Sequence, residues 1–563
     1  MAGSDEVVRL GCRSSRISDK WRWARLAAGV WPELDEGMHS VRVGVGPVTF
    51  DDVLAVTRDG VGVELSEESL SAIDRARAVV EELAAAPTPA YGISTGFGAL
   101  ATRHIPTELR EKLQRSLIRS HAAGSGPEVE REVVRGLMLL RLSTLATGHT
   151  GVRRETAQLM ASLLTAGISP VVREYGSLGC SGDLAPLAHC ALALMGEGEV
   201  RDADGTLMPA AEALAAAGLT PVELKAKEGL ALINGTDGML GMLVLAISDL
   251  RRLLRTADIA AAMSVEAQMG TDRVFAADLQ ELRPQVGQGL SASNLVRVLA
   301  GSGVMAHHRE DRFHRVQDAY SLRCSPQVHG AARDTVEHAA TIASRELRAA
   351  VDNPVVLVST SPTDGPSRVE SNGNFHGAPV AYVLDFLAIV AADVASISER
   401  RSDRFLDRAR NHDLPPFLAD DPGVDSGLMI AQYTQAAIVS ELKRLAVPAS
   451  VDSIPSSAMQ EDHVSMGWNA ARKLRRSVDG LTRVVAIELL TAARGLELRT
   501  TTGDTAGTSP AAATGAVVRL LHEHGVGAPG PDRFLSPEIE SAVALVASGA
   551  VLSAVEEVIG ELS

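Results

Sequence analysis

The chain has 563 residues, with 54 Lys and Arg against 70 Asp and Glu, a formal charge of −16. A composition of 45% hydrophobic and 22% charged residues excludes a disordered chain. The acidic balance argues against nucleic acid or an anionic membrane as a partner, since both need clustered positive charge.

Aromatic residues are only 3% of the chain, which favours closely packed helices over a β-sandwich. Length alone suggests about three or four domains. Residues 1–37 hold three of the four tryptophans, mixed with charge, Gly and Pro and no sustained period. They read as a poorly ordered N-terminal extension. They contain no apolar stretch of the secretory type, so a cytoplasmic protein is expected. An N-terminal domain is expected over 38–250. It opens on a strand-like run, Val41 to Val45, and mixes short β pieces with helices over Glu67–Ala86, Glu128–Thr147 and Arg154–Ala166.

From about residue 237 the helical pattern lengthens. Met239–Met269, Met429–Ala446 and Ala470–Leu498 keep apolar residues at helical spacing with few breakers. A central bundle of long helices is expected over 251–510, with apolar faces wide enough for burial between subunits. The most apolar stretch, Ala378–Ile397, contains Asp385 and Asp393. Both would be costly in lipid, so it reads as a buried helix. Ser359–Ser367 and Thr500–Thr508 read as linkers. A C-terminal helical segment over 511–563 ends in an amphipathic stretch, Pro537–Leu562.

Cys12, Cys180, Cys190 and Cys324 lie far apart and form no C-x-x-C pair, so neither a zinc ribbon nor a disulfide framework is expected. His307, His308 and His314, with Glu310 and Asp311, lack the spacing of a zincin and read as a solvated loop, with no metal site. His189 and Cys190 read as packing residues on a helix rich in Ala and Leu.

The most unusual segment is Gly176-Ser177-Leu178-Gly179-Cys180-Ser181-Gly182-Asp183-Leu184. Three glycines in seven residues permit a tight turn before a helix starting near Asp183. Spacing alone allows a helix N-terminus capped by Ser181 or Asp183, or an anion cradle. Five further segments stand out: Tyr91-Gly92-Ile93-Ser94-Thr95-Gly96-Phe97-Gly98, Ser120-His121-Ala122-Ala123-Gly124, Leu232-Ile233-Asn234-Gly235-Thr236, Asn372-Gly373-Asn374-Phe375-His376-Gly377 and Gln460-Glu461-Asp462-His463. A sixth, Gln317-Asp318-Ala319-Tyr320-Ser321-Leu322-Arg323, places Tyr320 and Arg323 on one helix face. Taken singly, these are a surface turn, a hydrogen-bonded histidine, an Asn-Gly turn, a loop, a charged loop and a surface tyrosine beside a solvated arginine.

Together, over about residues 41–500, they resemble the aromatic amino acid ammonia-lyase family, with Glu461 fitting its histidine branch. The resemblance implies a mainly α fold of fumarase/aspartase-like architecture, with a small mixed N-terminal part before the long helices. It implies that Cys180-Ser181-Gly182 cyclises autocatalytically to a 4-methylidene-imidazol-5-one, with no added cofactor and no metal. Gly182 nitrogen attacks the carbonyl of Cys180, which stands where Ala is usual, and Ser181 loses its hydroxyl as water. Ser94 stands where Asn is usual, and Asp237 where Gln is more common.

By the same resemblance Tyr91 is a general base on a closing loop and Arg323 pairs with the substrate carboxylate. Asn234, Gln317 and Tyr320 position the electrophile and amine. His121 and Glu461 hold an imidazole, and Phe375 packs near it. The implied reaction converts L-histidine to trans-urocanate and ammonia in a homotetramer with shared sites. Tyrosine or phenylalanine lyases, or an aminomutase, are the alternatives.

Overall fold

The computed structural model describes residues 40–86, 89–96, 103–179, 181–310, 317–361 and 365–563. The expected extension 1–37, together with Cys12, Phe97, Gly98, Cys180, Asp311 and His314, lies outside the described residues, as does part of the linker 359–367.

The architecture is mainly α. Local sequence signals start the early helices. Ser66 Oγ accepts from Ser69 N at 3.1 Å and caps the Glu67–Ala85 helix, and Thr49 with Asp52 forms a capping box on Phe50–Thr57. Short sheets decorate this part. Val41–Val43 pairs in parallel with Val63–Leu65, and Ser125–Glu128 pairs antiparallel with Arg173–Tyr175. Ser169–Pro170, Glu199–Arg201 and Leu207–Pro209 form an antiparallel trio. The helix expected from Glu128 starts instead at Arg131, because Ser125–Glu128 is drawn into a strand. The Ser359–Ser367 linker lies between paired strands Val355–Leu357 and Arg368–Glu370.

Three long helices form the body: Asp237–Ala267, Ala378–Leu406 and Gly467–Thr501. At 35 residues the last spans roughly 52 Å. Ala378–Leu406 packs against Gly467–Thr501, Ser325–Glu346 and Met429–Leu445. It is long and apolar enough to cross a membrane, yet Asp385 is buried and accepts from Ser450 N at 2.7 Å and from Lys473 Nζ. It is a core helix. One apolar core runs from Val41 to Leu562, and the Asp237–Ala267 helix passes through the expected division at 250/251.

The segment read as one amphipathic stretch, Pro537–Leu562, is two helices, Ser536–Ser548 and Ala550–Ile559, bent by 63°. Gly549 between them has φ +83°, a left-handed conformation that stops the first helix. His307 and His308 sit on the Gly303–Glu310 helix rather than in a loop. Among the described residues no cluster of three or more His, Cys, Asp or Glu could hold a metal ion.

Candidate active site

The glycine turn folds as two crossing backbones. Gly182 has φ +75° and bridges Gly235 in parallel. A Cβ on Gly182 would lie 2.0 Å from Gly235 O, so no other residue fits. Asp183 N donates to Gly235 O at 2.7 Å. The helix after the turn runs Leu184–Leu194, with neither Ser181 nor Asp183 capping it through its side chain.

The fully buried carboxylate of Asp183 caps a different helix. Its Oδ2 accepts from Gly238 N at 2.9 Å and Met239 N at 3.0 Å, the first turn of Asp237–Ala267. Its Oδ1 accepts from Ser177 Oγ at 2.9 Å. Burial raises the Asp183 carboxyl to about 7, partly offset by these hydrogen bonds.

The other side of the turn is held by residues distant in sequence. Gly179 O accepts from Ser465 Oγ at 2.8 Å and from Gly377 N at 3.1 Å, and Leu178 O accepts from Met466 N at 2.9 Å. Thus Gly377 and Met466, immediately before two of the long helices, clamp the segment that carries Ser181. Ser181 Oγ donates to Glu461 Oε1 at 3.2 Å. Glu461 Oε2 accepts from Ser456 Oγ at 2.9 Å, and the backbones of Ser456 and Glu461 bridge.

Asn234 is buried, and its Oδ1 meets no donor among the described residues. Its Nδ2 donates to Asn353 O at 3.4 Å, while Asn353 Oδ1 accepts from Ser371 Oγ and Asn372 N, both at 3.0 Å. The loop carrying Phe375 is thereby joined to the loop carrying Asn234. Gly92 packs against Pro354, next to Asn353, which brings the half-buried Tyr91 segment to the same end. His121 ends the Arg110–His121 helix with Nδ1 at 2.9 Å from Leu117 O. Since a carbonyl only accepts, Nδ1 carries the proton in the neutral ring. His189 Nε2 accepts from Gly124 N at 3.1 Å, a packing role, and Cys190 is buried with its thiol pKa raised by burial.

Gln317, Tyr320 and Arg323 are elsewhere. Tyr320 and Arg323 do share a face of the short Tyr320–Arg323 helix, with the guanidinium 4.7 Å from the ring centroid. Gln317 Oε1 accepts from Arg323 Nη1 at 2.7 Å. This helix rests on Arg401, which donates to Ser321 O at 3.3 Å and Ser325 Oγ at 3.2 Å. Arg401 is pinned by two bonds to buried Glu488. Glu488 lies 21 residues beyond Gly467, or about 32 Å along the helix, and Arg401 lies about 36 Å beyond Gly377. One chain therefore holds the Ser181 group and the Arg323 group at opposite ends of its bundle.

Several residues behind the turn escape sequence reasoning. Arg141, fully buried, donates to Asn234 O at 2.8 Å and Val351 O at 2.9 Å and pairs with Asp237 at 3.1 Å. A lone Arg within the apolar run Leu139 to Leu142 was its available signal. Lys227 and Asp352 form a fully buried pair at 2.6 Å. Burial lowers the Lys227 pKa and raises the Asp352 pKa, each opposed by the partner. Nothing in the local pattern marks that pair, whose members are 125 residues apart.

A family model for aromatic amino acid lyase matches residues 48–523. Histidine ammonia-lyase of Streptomyces griseus is 65% identical over 526 residues, 93% of this chain and 100% of that protein. Histidine ammonia-lyase of Sorangium cellulosum is 48% identical, covering 92% and 99%. Among solved structures, histidine ammonia-lyase from Trypanosoma cruzi has a TM-score of 0.83 at 37% identity, covering 92% and 95%. Tyrosine aminomutase from Streptomyces globisporus has a TM-score of 0.84 at 35% identity, covering 92% and 99%. Neither the TM-scores nor the identities separate these two solved structures, whereas the 65% and 48% identities over nearly the full length are to histidine ammonia-lyases.

Proposed function

The chain belongs to the aromatic amino acid lyase family, and on that premise we propose that it removes ammonia from L-histidine to give trans-urocanate, the first step of histidine degradation. It is a carbon–nitrogen lyase. The reading is carried by the glycine turn that sets Ser181 Oγ 3.2 Å from Glu461, in a chain 65% identical to a histidine ammonia-lyase.

The turn suits a 4-methylidene-imidazol-5-one made from Cys180, Ser181 and Gly182. Gly182 has no side chain to obstruct its nitrogen, and its left-handed φ and contact with Gly235 press the backbone into a compact bend. Once formed, the ring supplies an electrophile that activates ammonia, otherwise a poor leaving group. Loss of the Ser181 hydroxyl frees Glu461 Oε1 to accept an imidazole N–H, while Ser456 keeps holding Oε2.

With Nδ1 donating to Leu117 O, His121 offers Nε2 as an acceptor for the second N–H of a substrate imidazolium, whose first N–H goes to Glu461. Asn234 Oδ1, buried without a donor among the described residues, takes one from the amine. Phe375 packs beside the ring, and Tyr91 on its loop takes the β-proton. Arg323 takes the carboxylate with its planar fork, and Gln317 and Tyr320 orient it.

Because Arg323 lies about 32 Å along the bundle from Ser181, a second copy must supply it. A homotetramer with shared sites meets that need. Tyr382, Phe386 and Ile389 form an exposed apolar stripe on one long helix, and Ile430 and Tyr433 are exposed on its neighbour, the surface such an assembly would cover. The reading places the enzyme in the cytoplasm, with no nucleic acid, membrane, metal or added cofactor.

The test is near-ultraviolet absorbance of the purified protein with L-histidine, beside Ser181→Ala. Urocanate should appear with the native protein only. The native chain should also be lighter by two waters than its sequence mass. No urocanate, with turnover of L-tyrosine or L-phenylalanine instead, would overturn the substrate. A full-mass, inactive chain would overturn the chemistry.

A further inference from the structure

Asp352 and Asn353 are adjacent and buried, and both lie outside the segments that carry the family resemblance. Together they hold a short helix at its two ends. Lys227, just before the Glu228–Ile233 helix, donates from Nζ to Asp352 Oδ2 at 2.6 Å, and both side chains are fully buried. Asn234, just after that helix, donates from Nδ2 to Asn353 O at 3.4 Å. A carbonyl only accepts, so Nδ2 is the atom that faces Asn353, and Oδ1 is left for the amine. Separating a buried ion pair strands a charge, which makes Asp352 a fixed point. Its Oδ1 accepts from Asn353 N at 2.8 Å and so fixes Asn353 as well.

The same two residues hold the loop that carries Phe375. Asn353 Oδ1 accepts from Ser371 Oγ and from Asn372 N, both at 3.0 Å. Asp352 O accepts from Asn372 Nδ2 at 3.0 Å, and Asn372 Oδ1 accepts in turn from Asn374 N at 2.9 Å, the residue before Phe375. The far end of the loop is fixed by Gly377 N on Gly179 O at 3.1 Å. Phe375 therefore sits between two anchors, one on the turn that carries Ser181 and one on the residue that holds Asn234.

We propose that Asn353 is a positioning residue that sets the spacing between the substrate amine at Asn234 and the substrate ring at Phe375, and so selects the length of the side chain that joins them. This spacer rests on the roles proposed for Asn234 and Phe375 in histidine deamination. Held at both ends, it fits one methylene between the α-carbon and the ring, and a second methylene must displace an anchor. In a fitted pocket one extra methylene is worth roughly 10–200-fold in discrimination.

The experiment measures L-histidine turnover and its competitive inhibition by L-homohistidine, which carries the second methylene, in the native enzyme and in Asn353→Leu. Leucine keeps the size of the side chain and removes the oxygen that Ser371 and Asn372 share. Asn353→Leu should keep the mass deficit of two waters and raise KM for histidine about tenfold with a smaller change in kcat. The ratio of the homohistidine inhibition constant to the histidine KM should fall about tenfold. Asn372→Ala, on the half-buried loop, cuts the tie from Asp352 to Asn374 and should shift KM and the ratio in the same direction. It carries the test if Asn353→Leu does not fold. A native chain that does not turn over histidine would overturn both the function and the spacer. An active native enzyme, with a folded variant of unchanged KM and unchanged ratio, would overturn the spacer alone. So would loss of the mass deficit in Asn353→Leu, which would place Asn353 in ring formation.

Discussion

Two inactive variants should restore each other if the catalytic groups come from different copies of the chain. Ser181→Ala cannot make the electrophile, and Arg323→Met cannot hold a carboxylate. In one chain the two sites are separated by the run from Gly467 to Glu488, 21 residues and about 32 Å at 1.5 Å per residue, far beyond an arginine's reach. When the variants are co-expressed and assemble at random, a working site needs its Ser181 from one variant and its Arg323 from the other. Each condition holds with probability about one half, so about one quarter of the sites should work. The assay carries a different affinity tag on each variant, purifies oligomers bearing both, and follows urocanate per milligram. Mixed oligomers confirmed by native mass spectrometry, yet as inactive as either parent, would refute the separation argument and place the whole site in one chain.

Gly182→Ala should abolish ring formation, read as a chain of full mass, and destabilise the fold by about 1–3 kcal/mol in urea, because the new methyl group meets Gly235 O. Unchanged mass loss would show that the bend does not matter. Arg401→Lys should raise KM for histidine about tenfold with a smaller change in kcat, since lysine cannot hold Glu488 and the Ser321 carbonyl together. A loss confined to kcat would contradict its role in placing Arg323. Asp258 is fully buried, and although burial opposes its charge, Arg333, His329 and Ser291 hold its carboxyl down at about 2. As a depressed acid it contributes stability above its unfolded pKa, lost as pH falls from about 4 to 2, worth about 2 kcal/mol. Acid unfolding of Asp258→Asn should lack that increment, and an identical profile would count against the pairing.

Where a helix is specified by its own residues, the chain announces it. Ser66 and the charged first turn of Glu67–Ala85 are legible, and the observed helix ends one residue short of the expectation. Where the determinant is distant, it is not. The Asp237–Ala267 helix begins two residues before the expected Met239, because its cap is Asp183, 54 residues back, delivered only by the crossing of Gly182 and Gly235. The same applies at the site. The glycine turn stands out because of its composition, and Glu461 because it matches the family's histidine branch. Arg141, Ser456 and Asn353 act through carbonyls and loops that become neighbours only after folding. The break at Gly549 illustrates the converse error: an apolar period continued across a glycine whose left-handed φ ends the helix.

Two helices run between the same pair of stations. Ala378–Leu406 starts beside Gly377, which touches Gly179, and carries Arg401; Gly467–Thr501 starts beside Met466, which touches Leu178, and carries Glu488. They work as the two arms of a calliper. Inserting one turn, about four residues, into either arm would shift its far station by about 6 Å relative to the other and uncouple Arg401 from Glu488. Helix length here is therefore a measurement, and insertions tolerated in the surface loops should be absent between 377 and 401 and between 467 and 488 in any active relative.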